Sequence, residues 1–99
     1  MYYLYLGTRS PRNNSWSYEV RGMYTSLSDA VWNFFDFKKS MTMRTCNRLY
    51  NDTEIHLSTE NPIAFGDDNG IIFSAYNDLD NKLVVQDNLK GYLDYFEGD

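Results

Sequence analysis

The sequence contains one cysteine, Cys46, so no disulfide can close within the chain and a reducing compartment is expected. Two prolines and six glycines in 99 residues leave no Pro/Gly-rich linker, low-complexity tract or internal repeat to divide the chain. A single domain spanning residues 1–99 is therefore expected. No apolar run approaches the ~18 residues of a membrane-spanning helix. The opening MYYLYLGTRS lacks the basic start, long apolar stretch and small-residue cleavage site of a secretion signal, so a cytoplasmic location is expected. P-loop, dinucleotide fingerprint, nucleophile elbow and zinc-ligand spacings are all missing, so no cofactor is implied.

Alanine is scarce as well, occurring only as Ala30, Ala64 and Ala75, whereas nine Tyr, six Phe and two Trp are present. Aromatic rings must then supply much of the core volume. A chain of this length buries roughly 65% of its unfolded surface, enough for one modest core without metal staples. Mean hydropathy of −0.58 with 42% hydrophobic residues is too apolar for a disordered tail.

The net charge of −5 hides an asymmetry. Residues 1–50 carry seven bases (Arg9, Arg12, Arg21, Lys38, Lys39, Arg44 and Arg48) against three acids, a net +4, while residues 51–99 carry two bases against eleven acids, a net −9. Such a split points to an interaction surface unless the halves interleave and neutralise one another.

The spacing of residue types indicates an α+β domain. Tyr2 to Leu6 is a run of strand formers without polar alternation, as in a strand covered on both faces. A polar turn over Ser10 to Ser15 leads to a second strand, about Ser17 to Tyr24. Ser26-Leu27-Ser28-Asp29 has the form of a capping box, and Leu27, Ala30, Val31, Phe34, Phe35 and Phe37 share an arc of ~160°, predicting an amphipathic helix over about 27–40 that packs on one sheet face. Short strands with turn signals follow. Thr42 to Tyr50 and Thr53 to Ser58 read as a hairpin across Asn51-Asp52, and Ile63 to Phe65, Ile71 to Tyr76 and Leu83 to Gln86 as a meander with acidic tips. Leu89, Tyr92, Leu93 and Phe96 fit a short C-terminal helix. The expected architecture is a twisted antiparallel sheet of five to seven strands with one helix on one face and a short C-terminal helix.

Three kinds of chemistry can be weighed against this pattern. Within the expected hairpin Cys46 and His56 point to opposite faces, which forbids a nucleophilic pair and makes Cys46 a buried apolar residue and His56 a surface one. The pairs Asp67-Asp68 and Asp78-x-Asp80 offer oxygen ligands for a divalent cation, but the spacing after Asp78 fails the calcium-loop pattern at Lys82 and Leu83. Arginines and lysines near tyrosines suit a single-strand platform, and Leu4-Tyr5-Leu6-Gly7 resembles the first short motif of RNA-recognition domains. The longer motif is absent where it should follow, and the −9 half opposes a polyanion, so direct nucleic-acid binding is not expected.

The acidic half itself is the stronger candidate. Asp67, Asp68, Asp78 and Asp80 in turns, with Tyr76, Asp94, Tyr95 and Glu97, would form negative points around aromatic anchors. That chemistry suits a partner protein with a basic nucleic-acid-binding surface. Small size, acidity, richness in Tyr and Asn and scarcity of Ala resemble the composition of phage-encoded inhibitors of bacterial defence, anti-CRISPR proteins among them. The likeness covers no motif and transfers no site residue. It implies a non-enzymatic inhibitor acting in the host cytoplasm, and an acidic surface that competes with a phosphate backbone would make it a DNA mimic. Two other readings stand beside it: a self-associating structural or accessory phage protein, as a homodimer with unlike halves meeting, and a metal-dependent nuclease or phosphoesterase using the aspartate pairs.

Overall fold

In the computed structural model, which describes residues 1–60 and 70–89, the capping signal at Ser26 becomes the start of α1 (Leu27–Ser40). Ser26 is extended and its Oγ accepts from the Asp29 N–H at 3.4 Å, satisfying one of the orphan donors of the first turn. Among the described residues five strands surround the helix in sequence: β1 (Tyr2–Arg9), β2 (Trp16–Tyr24), β3 (Thr53–Ser58), β4 (Ile71–Asn77) and β5 (Leu83–Asp87). They form one antiparallel sheet in the order β2-β1-β3-β4-β5. Because β1 is antiparallel to both neighbours, β2 and β3 run the same way with β1 between them. Their connection must cross a sheet face, and α1 makes that crossing.

Strand alternation sorts the side chains into two faces. Leu4, Ile55, Leu57, Phe73 and Ala75 turn toward α1 and meet its buried stripe of Ala30, Val31 and Phe34. Phe34 stacks on Phe73 with centroids 5.5 Å apart, and Phe35 meets both rings edge-on. Rings thus fill the core that the few alanines cannot. Burying a side chain of this size stabilises the fold by about 1.5–3 kcal/mol. The opposite face carries Tyr3, Tyr5, His56, Ser58 and Ser74, and of these all but Tyr3 are buried. Tyr5 donates its hydroxyl proton to the Glu60 carbonyl at 2.8 Å, and burial, with Tyr3 and Glu60 nearby, pushes its phenol above the ordinary tyrosine value.

The expected hairpin of Thr42–Tyr50 with β3 does not form. Both edges of β3 are taken, by β1 on one side and β4 on the other, so no ladder is left for a further strand. Residues 41–50 form an irregular loop instead, with one isolated bridge between Thr42 and Leu49. Locally the chain is still finishing the helix: the Met41 N–H bonds the Phe37 and Lys38 carbonyls, and Thr42 Oγ1 donates to Lys38 O at 2.7 Å. Arg44 to Asn47 are exposed, and Asn47 adopts a positive φ of 46° that ends any extended run.

One side chain holds this loop in place. Asn77 at the end of β4 accepts from Leu49 N at 2.9 Å and donates to Leu49 O at 2.8 Å, imitating a backbone pair across 28 residues. Leu49 itself is fully buried. The expected strand Ile63 to Phe65 lies outside the described residues, and the expected C-terminal helix lies almost wholly outside them. No helix among the described residues is long and apolar enough to cross a membrane.

Candidate functional site

At one end of the sheet β1 finishes, β2 and β3 begin and β4 turns into β5, leaving a cleft of about 680 Å³. Trp16 and Tyr76 provide its rings, and Asp52, Glu54 and Asp78 its carboxylates. Arg9 enters the same cleft and binds Asp52 through Nε at 2.9 Å and also through Nη2, while the Arg9 N–H bonds Asp52 O. A cation from the basic half therefore neutralises one acid of the other half. The described halves interleave here, yet carboxylates still outnumber cations in the lining.

The rim is the β4–β5 turn. Asp78 Oδ1 accepts from Asp80 N at 2.8 Å and Lys82 N at 3.0 Å, and Asn81 takes the left-handed conformation that closes the turn. These bonds fix the turn and leave Leu79 at its tip fully exposed between two aspartates. An isolated exposed leucine is ordinary. One held at the rim of an acidic, ring-lined cleft is an apolar contact ready for a partner.

Beside the cleft runs a buried polar seam. His56 Nδ1 lies 2.8 Å from Ser74 Oγ and Nε2 lies 3.0 Å from Glu54 Oε1, with the Tyr18 ring edge-on to the imidazole at 5.6 Å. Tyr18 reaches this position because β1 has Gly7 opposite it; a Cβ there would stand 2.8 Å from the tyrosine Cε1. Burial raises the Tyr18 phenol above its usual value, and the charge and hydrogen bond of Glu54 raise it further. The order serine, histidine, carboxylate is that of a hydrolytic triad. Here, though, the hydroxyl is only 6% exposed in the middle of a strand, without the sharp turn that presents a nucleophile. The seam satisfies its own polar atoms, and among the described residues no buried side-chain nitrogen or oxygen lacks a partner.

Both assignments made for the Cys46–His56 pair are overturned. His56 is buried, at 9% exposure, because β3 is central in the sheet and polar neighbours on β3 and β4 satisfy its ring. Cys46 is exposed, because its segment is a loop.

Of the expected site residues, Tyr76 and Asp78 line the cleft and Asp80 stands in its rim. Asp67, Asp68, Asp94, Tyr95 and Glu97 lie outside the described residues. Arg9, Trp16, Asp52, Glu54 and Leu79 were not anticipated. The β1–β2 turn hinted at Arg9 and Trp16, since a hairpin brings its two ends together, but pairing of β1 with β3 is what adds Asp52 and Glu54. Among the described residues no group of three or more His, Cys, Asp or Glu could hold a metal ion. The chain matches no protein-family model, no curated protein and no solved structure.

Proposed function

We propose that this is a non-enzymatic binding protein that inhibits a nucleic-acid-handling partner by docking the acidic cleft and the β4–β5 turn onto a basic surface. The reading is carried by Leu79, presented between Asp78 and Asp80 at the rim of a cleft lined by Trp16, Tyr76, Asp52 and Glu54. Carboxylates steer a basic partner and reject an acidic one, while the leucine and the two rings supply apolar contact once water is expelled. A surface of this kind competes with a phosphate backbone for the same lysines and arginines, which is the mode of a DNA mimic. Together with the compositional likeness to phage inhibitors of bacterial defence, it favours an anti-CRISPR or other anti-defence role.

Affinity capture from the cell in which the protein acts, using wild type and the triple variant Asp78→Asn, Leu79→Ala, Asp80→Asn in parallel, tests the proposal. Asparagine at position 78 keeps the oxygen that closes the turn, so charge and apolar contact are removed without unfolding the rim. A nucleic-acid-binding protein retained by wild type, released by salt and lost with the variant is the expected outcome. Equal retention by both proteins would refute it.

A further inference from the structure

On the helix side of the sheet, a groove of about 1020 Å³ runs between the last turn of α1 and the 41–50 loop. Lys38, Lys39 and Arg44 line it, opposed by Asp36 alone among the described lining residues. Trp32 and Tyr50, which are 62% and 49% exposed, line it as well. We infer that this groove is a binding site for single-stranded nucleic acid, with the cations on phosphates and the two rings as stacking surfaces for bases.

The lysines have an alternative use, since cations near a helix C-terminus compensate its dipole. The terminal carbonyls, however, are already served. Phe37 O accepts from Met41 N and Ser40 Oγ, Lys38 O from Met41 N and Thr42 Oγ1, and Lys39 O from Thr42 N. Lys39 and Arg44 make no ion pair or side-chain hydrogen bond with any described residue, so both present undivided charge to the groove. Lys38 sits with its ammonium 5.4 Å from the Phe35 centroid. Cations interleaved with accessible rings are what a sequence-tolerant single-strand site requires: charge for the backbone and a flat face for each base.

The net charge of −5 argues against a polyanion only if the charges act as one sum. They do not: among the described residues the groove is lined by Lys38, Lys39 and Arg44 against Asp36, whereas Asp52, Glu54 and Asp78 line the separate cleft at the end of the sheet, where Arg9 already neutralises Asp52. Asn77 also fixes the backbone of Leu49 beforehand, so the neighbouring Tyr50 needs little backbone ordering on binding. Carboxylate side chains would satisfy the cations but offer Trp32 and Tyr50 no ring to stack on, whereas every nucleotide brings both a phosphate and a flat base.

Fluorescence anisotropy of a labelled oligothymidine of about 16 nucleotides, titrated with the full chain, tests the site. Saturable binding that weakens with salt is expected, with a loss of at least about tenfold in the double charge reversal Lys39→Glu, Arg44→Glu, whose side chains are exposed and whose fold is checked by circular dichroism. Trp32→Ala should weaken binding several-fold and Trp32→Phe should restore most of it, as stacking demands. The triple variant at Asp78, Leu79 and Asp80 should bind the oligonucleotide like wild type, which separates this site from the acidic cleft. No anisotropy change at low salt, or equal binding by the charge-reversed variant, would overturn the inference. So would displacement of the oligonucleotide by polyglutamate at equal charge, which would assign the groove to an acidic protein, or stronger binding of a duplex.

Discussion

Replacing Asn77 with alanine should be among the most damaging single changes to a side chain outside the apolar core. The Asn77 amide makes two hydrogen bonds to the backbone of Leu49, at 2.9 and 2.8 Å, and Leu49 is fully buried. Alanine removes both bonds and leaves a buried N–H and a buried carbonyl facing each other's loss, each worth about 1–3 kcal/mol when unsatisfied. Some water will enter as the loop relaxes, so a destabilisation of about 2–4 kcal/mol is expected, with a fall in Tm of roughly 10–20 °C for a domain of this size. Urea unfolding followed by tryptophan fluorescence and far-ultraviolet circular dichroism measures it. Asn77→Asp adds a sharper check. The introduced carboxylate can still accept from Leu49 N but repels Leu49 O, which raises its folded value, so this variant should recover stability relative to wild type as pH falls through that raised value, with the recovery complete by about pH 4, the unfolded value, once the new group is a donor. An Asn77→Ala variant within about 0.5 kcal/mol of wild type would refute the idea that one side chain holds the 41–50 loop.

Other substitutions probe the seam and the loop. Gly7→Ala should displace the Tyr18 ring, because the new methyl would stand 2.8 Å from its Cε1; loss of the Tyr18–His56 ring contact by nuclear magnetic resonance, with ~1–3 kcal/mol of destabilisation, is expected. The raised phenol of Tyr18 means the unfolded chain ionises first, so its contribution is complete below pH ~10 and is lost as pH rises through the folded value. Tyr18→Phe should therefore flatten the alkaline limb of stability against pH, and an unchanged limb would contradict the assignment. Cys46 is exposed and should react with a thiol reagent in the native protein at the rate of a free thiol, whereas reaction only in denaturant would place the loop wrongly.

What could be read from sequence divides along the range of the interactions. α1 was legible at both ends because its signals are local: the cap at Ser26, the apolar arc through Phe34 and the lysines of the last turn. All five strands of the described residues were legible for the same reason, bounded by turn residues such as Asn14, Asp52 and Asn81, and β3 runs over the expected Thr53–Ser58. The 41–50 segment reads as a strand because Thr42, Thr45 and Tyr50 have strand propensity, whereas the decision lies with β1 and β4, which occupy both edges of β3 from distant parts of the chain. His56 shows the same limit. A lone histidine in a strand reads as a surface residue until Ser74 from β4 joins Glu54 of its own strand in satisfying the ring nitrogens and Tyr18 from β2 packs against the ring. The candidate site was half legible: Tyr76, Asp78 and Asp80 announce an acidic turn, but Asp52 and Glu54 join the cleft only through the β1–β3 register, and Trp16 through the β1–β2 register. Summing charge over halves also concealed the helix-side groove, since Lys38, Lys39 and Arg44 converge there while Arg9 leaves them to pair with Asp52.

Competition for the captured partner tests the central claim most directly. The Lys39→Glu, Arg44→Glu variant, whose own groove is disabled, is bound to the partner and titrated with the nucleic acid that the partner uses. Mutual exclusion is expected, with the apparent affinity for the chain falling in proportion to added nucleic acid and the acidic-rim variant failing to compete at all. A stable ternary complex, with affinity for the chain unchanged at saturating nucleic acid, would contradict the account.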